Sequence, residues 1–411
     1  MRASTDSTGP SDSTDSVNRL NPSGNRLNPV RLFHFSDTHL GHQQYPRTDE
    51  QGLNAREQDI ARAFKAVIDA ALVERPDLVV HAGDLFDGVR PGNRALATAM
   101  EGFVRLSQAG IPTIVIAGNH EHPKLCETGS PFRLFAHLPH VHVVFKGQRE
   151  TIVVPTQHGP VRVHAVPQCA DGDAIAQEIT QAPVGPPGGP GFDILVVHGA
   201  VMSLKAFSHA EFNELTLDPL WFKAFHYVAL GHYHGAQQVA PNAWYCGAPE
   251  RVSIAESGQE KGFLDVCLPA ANAGGPASLP GVRFHPIAGR AYLDLPPIET
   301  EGLDATQVRQ AALAAIARIP AGSVARLRLR GLDSALRGSL DVRALRHAAS
   351  ACTHFDLVLD WAEGGLDVRA AGDLRGVQQE FEAYAARQPI EGVAREAILA
   401  KVRPLLETRG P

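Results

Sequence analysis

Five apolar runs of strand length in this 411-residue chain end in the same kind of chemistry, and that repetition limits the fold more than any other feature. "VRLFHFS" (30–36) runs into Asp37-Thr38-His39, "DLVVHAG" (77–83) into Asp84-Leu85-Phe86-Asp87, and "PTIVIAG" (112–118) into Asn119-His120. "DILVVHG" (193–199) ends on His198-Gly199, and "HYVALGH" (226–232) continues as His232-Tyr233-His234. Amphipathic stretches separate the first three runs. Ile60, Phe64, Val67, Ile68 and Leu72 share one stripe of 59–74, and Leu96, Met100, Phe103 and Leu106 share one stripe of 93–108. Strand, helix, strand, helix, strand is the order of a parallel or mixed sheet with helices on its faces. Such sheets bind ligands beyond the carboxyl ends of their strands, so the five endings are expected in one place.

Carboxylate, carboxamide and imidazole, with no thiolate, suit divalent ions such as manganese. Singly, each residue has an ordinary explanation as a cap, a turn or a hydrogen-bonded core histidine. Five such endings in succession do not. Asp37, His39, Asp84, Asn119, His198, His232 and His234 can hold two ions if one carboxylate bridges them, and Asp84 is the natural bridge. Two divalent ions outweigh two carboxylates and a bridging hydroxide, leaving a cationic core suited to a phosphodiester monoanion. Ions roughly 3.5–4 Å apart clamp the attacking and leaving oxygens of an in-line displacement. Gly83, Gly118 and Gly231 let the turns pack without a Cβ in the way. His120 is left outside the ligand set, available for chemistry.

The rest of the chain sets bounds. Its length predicts two or three domains. Hydrophobic residues make up 44% and charged residues 20%, as in ordinary globular proteins, and no apolar run reaches a membrane span. Cys126, Cys169, Cys246, Cys267 and Cys352 are scattered, which suits a reducing cytoplasm better than a disulfide framework. A net charge of −6 means that any nucleic-acid contact must be local. Residues 1–29 are polar and repeat Asn-Arg-Leu-Asn-Pro, which predicts a disordered tail or a mis-set start. "VHVVF", "TIVVP" and "VRVHAV" predict a second, more antiparallel sheet. From about residue 290 a helix (305–318), the strand "VARLRLRG", a helix (341–350) and "FDLVLDW" predict a small α+β domain reaching 372, and two amphipathic helices follow in 373–411.

The series "DTHLG", "GDLFD", "GNHE", "VVHG" and "GHYH" resembles the calcineurin-like metallophosphoesterase superfamily. Within it, "HFSDTHLG", "HAGDLFDGVRP", "IAGNHEHP" and "WYCGAPERVSIAESGQEKGF" (244–263) are similar to the SbcD nuclease family, the nuclease subunit of double-strand-break repair complexes. SbcD chains usually carry Asp where this chain has Glu121. The resemblance implies a fold of two mixed sheets in a sandwich flanked by helices over 30–289, with a smaller α+β capping domain over 290–372. It implies two divalent ions, most simply Mn2+, on the seven ligands, and it casts His120 as a general acid or phosphate contact. Purple acid phosphatases need a tyrosine at the position of Asp87, and Ser/Thr protein phosphatases need arginines at Gly88 and Ala117. Without those cations a diester is the better substrate.

The implied partners are DNA, held in part by the Arg326, Arg328 and Arg330 strand face, and a coiled-coil SbcC-like ATPase docked on the tail of Phe381, Tyr384 and Leu405. The resemblance also implies a homodimer, with a second copy of the chain pairing along 93–108. A solvated strand face and a packing helix pair are the plainer alternatives for the arginines and the tail. A small-molecule or cyclic-nucleotide phosphodiesterase, or a non-catalytic DNA-end-binding subunit, remains an alternative for the whole. Decay of a site removes ligands, and none of the seven is missing.

Overall fold

The computed structural model describes residues 29–122, 129–185, 191–202, 214–269 and 279–361. The N-terminal tail up to residue 28 and the expected docking helices in 373–411, with Phe381, Tyr384 and Leu405, lie outside them. The chain divides into two compact units. The first holds Met1–Leu295, Ala315–Arg326 and Arg346–Asp356, and the second holds Pro296–Ala314, Leu327–Leu345 and Leu357–Pro411.

The first unit opens with β1 (Val30–Phe35), α1 (Ala55–Glu74), β2 (Leu78–His81), α2 (Asn93–Gln108), β3 (Thr113–Ile116) and β4 (Val141–Val144). It continues through β5 (Glu150–Thr156), β6 (Gly159–Val166), α3 (Gly172–Thr180), β7 (Phe192–His198), β8 (Ala200–Val201) and β9 (Thr216–Leu217). Then come β10 (Tyr227–Gly231), β11 (Gln237–Ala240), β12 (Ala243–Tyr245), β13 (Gly262–Leu268) and β14 (Gly281–Pro286). One six-stranded sheet has the order β14-β13-β1-β2-β3-β4, the other β11-β12-β10-β7-β6-β5. In the first, β1 to β4 run parallel and β13 lies antiparallel to both β1 and β14; in the second, β6, β7, β10 and β12 run parallel and the edge strands β5 and β11 antiparallel. The fold is therefore the expected mixed sandwich flanked by helices.

Two details differ from expectation. β4 joins the first sheet, parallel to β3, because Val141 and Val143 pack with the α1 and α2 layer while Val144 faces the second sheet. The second sheet is also no more antiparallel than the first, since β6, β7, β10 and β12 run parallel.

The two sheets bury one layer between them, with Leu32, Leu78, Val80 and Ile114 from the first against Val163, Ile194, Val196 and Ala229 from the second. Each such aliphatic side chain contributes roughly 1.5–3 kcal/mol on full burial. β2 and β3 are buried at every residue, as strands covered on both faces must be. Phe64, Val67, Ile68, Phe103 and Leu106 seal α1 and α2 onto the outer face of the first sheet. The helix expected from residue 59 begins earlier, at Ala55. Asn54 caps the helix there by accepting from the Arg56 and Glu57 amides.

After β14, β15 (Tyr292–Asp294) leads to β16 (Ile298–Glu299), α4 (Ala305–Ile316), β17 (Val324–Leu332), α5 (Ser334–Ser339), α6 (Val342–Ala348) and β18 (His354–Trp361). Within the first unit β15 pairs in parallel with the start of β17, and within the second β16 pairs with its end. α5, capped by Asp333, is an element that the sequence reading lacks.

Candidate metal centre

β1, β2 and β3 of one sheet and β7 and β10 of the other deliver their carboxyl ends to a common point. The turns are stitched by backbone bonds: Asp37 N donates to the Gly83 carbonyl, His39 N to that of Asp84, and Gly199 N to that of Gly231. Close approach explains the glycines. A Cβ at Gly83 would overlap the His198 ring, one at Gly118 the Asp84 carboxylate, and one at Gly231 the Ala82 carbonyl. The neighbouring expected ligands carry the backbone distortion themselves. Asp37, His39, Asp84 and His232 have φ of 51°, 50°, 54° and 105°, a region that non-glycine residues enter at a cost of order 1–3 kcal/mol each. Strain of this kind collects where geometry serves a site rather than stability.

All seven expected ligands meet there, in two connected groups. Asp37, His39 and His234 form one, with His39 Nε2 3.2 Å from His234 Nε2. Asp84, His198 and His232 form the other. Asn119 Oδ1 joins it, 2.8 Å from His198 Nε2 and 3.3 Å from His232 Nδ1. Asp84 lies between the groups, its Oδ2 3.2 Å from His198 Nε2 and 4.0 Å from His39 Nε2. Asp37 also accepts from the His232 amide at 2.9 and 3.1 Å.

The donor set fits a cation. His198 Nδ1 donates to the Ala82 carbonyl at 2.9 Å, and His234 Nδ1 faces the Glu256 carboxylate at 3.2 Å. Neutral rings held this way turn their Nε2 lone pairs inward. At His198 that lone pair faces the Asn119 and Asp84 oxygens, an arrangement that needs positive charge in the middle. Burial pushes His198 down, but the Asp84 charge and hydrogen bond outweigh it and raise the pKa to about 9. Burial likewise pushes Asp84 up, and His198, His39 and His120 hold it well below the usual carboxylate range.

His120 sits beside this set. Its backbone N–H donates to Asp84 Oδ1 at 3.1 Å, and its Nδ1 donates to the Asp87 carbonyl at 3.1 Å. That bond fixes the tautomer and leaves Nε2, 4.0 Å from Asp84 Oδ2, facing the site. The other nearby histidines are accounted for differently: His42 binds Asp87 at 3.0 Å, and buried His81 binds Thr38 at 2.9 Å.

Several supporting residues lie outside the expected ligand set. Glu121 is fully buried and accepts from the Phe86 amide at 2.6 Å and the Gly118 amide at 2.9 Å, tying two ligand turns together. Burial, then the Asp84 charge, pushes its pKa up to about 8. Ser36 links Asp37 to Cys246, and Glu214 Oε1 lies 3.3 Å from His232 Nε2. Acids face the arginine strand. Arg326 pairs with Asp294, at 3.1 and 2.6 Å, and Arg330 lies 3.7 Å from Glu299 and 3.8 Å from Asp360.

The chain is similar to the DNA double-strand break repair protein Mre11 of Sulfurisphaera tokodaii, 31% identical over 208 residues, or 51% of this chain and 50% of the relative. It is 29% identical over 246 residues to the protein of the same name from Thermoplasma acidophilum, covering 56% and 58% of the two chains. A third, from Methanococcus maripaludis, is 41% identical over 105 residues, 26% of this chain and 27% of the relative. The first two alignments span little more than half the length of the relatives they match. No helix among the described residues is long and apolar enough to cross a membrane. The family model for calcineurin-like phosphoesterases matches residues 30–252, over half the chain and the whole stretch that holds the seven expected ligands and His120, so the chain belongs to the calcineurin-like phosphoesterase family.

Proposed function

We propose that this chain is a metal-dependent DNA nuclease that hydrolyses phosphodiester bonds at DNA ends or hairpins, in the manner of an SbcD-type repair subunit. The observation that carries the reading is the convergence of Asp37, His39, Asp84, Asn119, His198, His232 and His234 around Asp84, with His120 alongside. Asp37, His39 and His234 would hold one divalent ion and Asn119, His198 and His232 a second, with Asp84 shared; manganese suits these donors. Such ions supply Lewis acidity and positive charge to an in-line displacement at phosphorus. His120 Nε2, when protonated, donates to the leaving oxygen or to a phosphoryl oxygen. Gly88 and Ala117 place no side-chain cation at the positions where monoester phosphatases use arginine, which favours a diester. The names of the similar proteins support DNA as the substrate.

On the same reading, residues 290–372 form a capping domain and 373–411 a docking segment for a coiled-coil ATPase. Pairing of two chains along α2 rests on family resemblance alone. The pairing of Arg326 and Arg330 with acids favours a solvated strand face over an open phosphate-binding one. The function is tested with purified full-length chain, manganese, blunt-ended DNA and bis-p-nitrophenyl phosphate. Cleavage of both is expected. Turnover of the small diester without DNA cleavage would move the assignment to a small-molecule phosphodiesterase, and turnover of neither to a non-catalytic DNA-end-binding role.

A further inference from the structure

Residues 244–263 contribute none of the seven ligands, yet they pack against one of them. Gly247, at φ 76°, brings the chain under His234, where a Cβ would sit 2.9 Å from the His234 carbonyl oxygen. Ala248 N donates to that carbonyl at 3.1 Å, and Lys261 Nζ donates to it at 2.8 Å. Lys261 is 2% exposed and Glu256 6%, and the two form an ion pair. Glu256 Oε1 faces His234 Nδ1 at 3.2 Å and takes the Val252 amide at 3.3 Å. Lys261 is further held by Gln259 Oε1 at 3.0 Å.

Burying a lysine and a glutamate is a poor way to gain stability, since well-packed apolar side chains of similar volume do as well or better. The pair does something that an apolar pair cannot. A carboxylate at Nδ1 keeps the hydrogen on that nitrogen, leaves Nε2 as the lone-pair donor, and raises its basicity. His234 Nε2 faces His39 Nε2 in the group completed by Asp37.

We propose that Glu256 and Lys261 are positioning residues for His234. Glu256 fixes the tautomer and plane of the ring. Lys261 pairs with Glu256 and ties it to the backbone carbonyl of His234 itself. The proposal rests on the metal reading of the site and adds a directional consequence. The other group has different outer partners, the Ala82 carbonyl for His198 and Glu214 for His232. Loss of Glu256 should therefore weaken the ion held by Asp37, His39 and His234 and spare the other.

The test is calorimetric titration of Mn2+ into chelator-stripped full-length protein, comparing wild type, Glu256→Ala and Glu256→Gln. Glu256→Ala is expected to weaken one of two binding events by roughly 10–100-fold, the range for losing such a partner, with the second event unchanged. Glu256→Gln keeps an acceptor oxygen and loses the charge, so a smaller loss at the same event is expected. Two wild-type events in Glu256→Ala, or equal weakening of both, would overturn the positioning role. If Glu256→Ala does not fold, Glu256→Gln decides by the same comparison. Wild-type protein that binds no Mn2+ would instead overturn the metal reading itself.

Discussion

Replacing His120 separates chemistry from metal holding. Its side chain is 32% exposed, and its Nδ1 bond to the Asp87 carbonyl contributes about 1 kcal/mol, so His120→Asn should fold. Its backbone N–H on Asp84 Oδ1 is a contact with the expected ligand set that any side chain preserves, while its ring also lies 4.0 Å from Asp84 Oδ2 and edge-on to His39. Asn119 and Asp84 should therefore stay in place and both ions should remain. What is lost is a titrating nitrogen, fixed in tautomer and turned toward the site. Removing a positioned general acid lowers rates by on the order of 10² to 10⁴, about 2.7–5.5 kcal/mol of barrier. Bound manganese, DNA affinity and single-turnover cleavage should be read on one sample. The expected result is full metal, near-native DNA binding and a rate lowered by two to four decades. Near-wild-type cleavage would remove His120 from the mechanism, and loss of one metal equivalent would make it a ligand.

The site was more legible in the sequence than its supports. Strand ends carrying Asp, Asn and His, each after a glycine or a buried run, are local signals, and the parallel strand order predicts where they gather. The glycines follow the same logic, since Gly83, Gly118 and Gly231 sit where a side chain or the backbone of another segment passes. Glu121, Glu256 and Lys261 were not legible as parts of the site. Their partners are far along the chain, Glu121 with Phe86 and Glu256 with His234, and an isolated acid in a sequence does not reveal burial. Left-handed backbone at Asp37, His39, Asp84 and His232 was hidden for the opposite reason, because turn propensity points to glycine at such positions. The helix start at Ala55 lies before its apolar stripe, where only the cap Asn54 marks it. β4 looks like any other short apolar strand, and only its packing assigns it to the first sheet.

Two further outcomes follow from the geometry. Because Asp84 stands between the two groups, Asp84→Ala should lose both ions by elemental analysis while His39→Ala mainly weakens one; two full equivalents retained in Asp84→Ala would refute the bridge. At the opposite end of β7, buried Asp193 takes both Arg162 nitrogens at 2.7 Å and His164 at 3.0 Å. Burial pushes its carboxyl up, but these bonds outweigh that and hold it at about 2. The stabilisation it provides is thus present above the unfolded carboxyl value of about 4 and lost as pH falls toward 2. Asp193→Asn should destabilise by about 3 kcal/mol at neutral pH and flatten the fall in melting temperature between about pH 5 and 2. An unchanged melting profile would contradict that assignment.

The central claim is that five strand ends build one centre for two divalent ions. Manganese stoichiometry on full-length wild-type protein, measured by elemental analysis after metal loading and dialysis, tests it most directly, with hydrolysis of bis-p-nitrophenyl phosphate followed on the same samples through chelation and reloading. The geometry predicts two equivalents per chain, lost with activity on chelation and regained with it on reloading. One equivalent or none at full activity, or hydrolysis that survives complete removal of metal, would contradict the account.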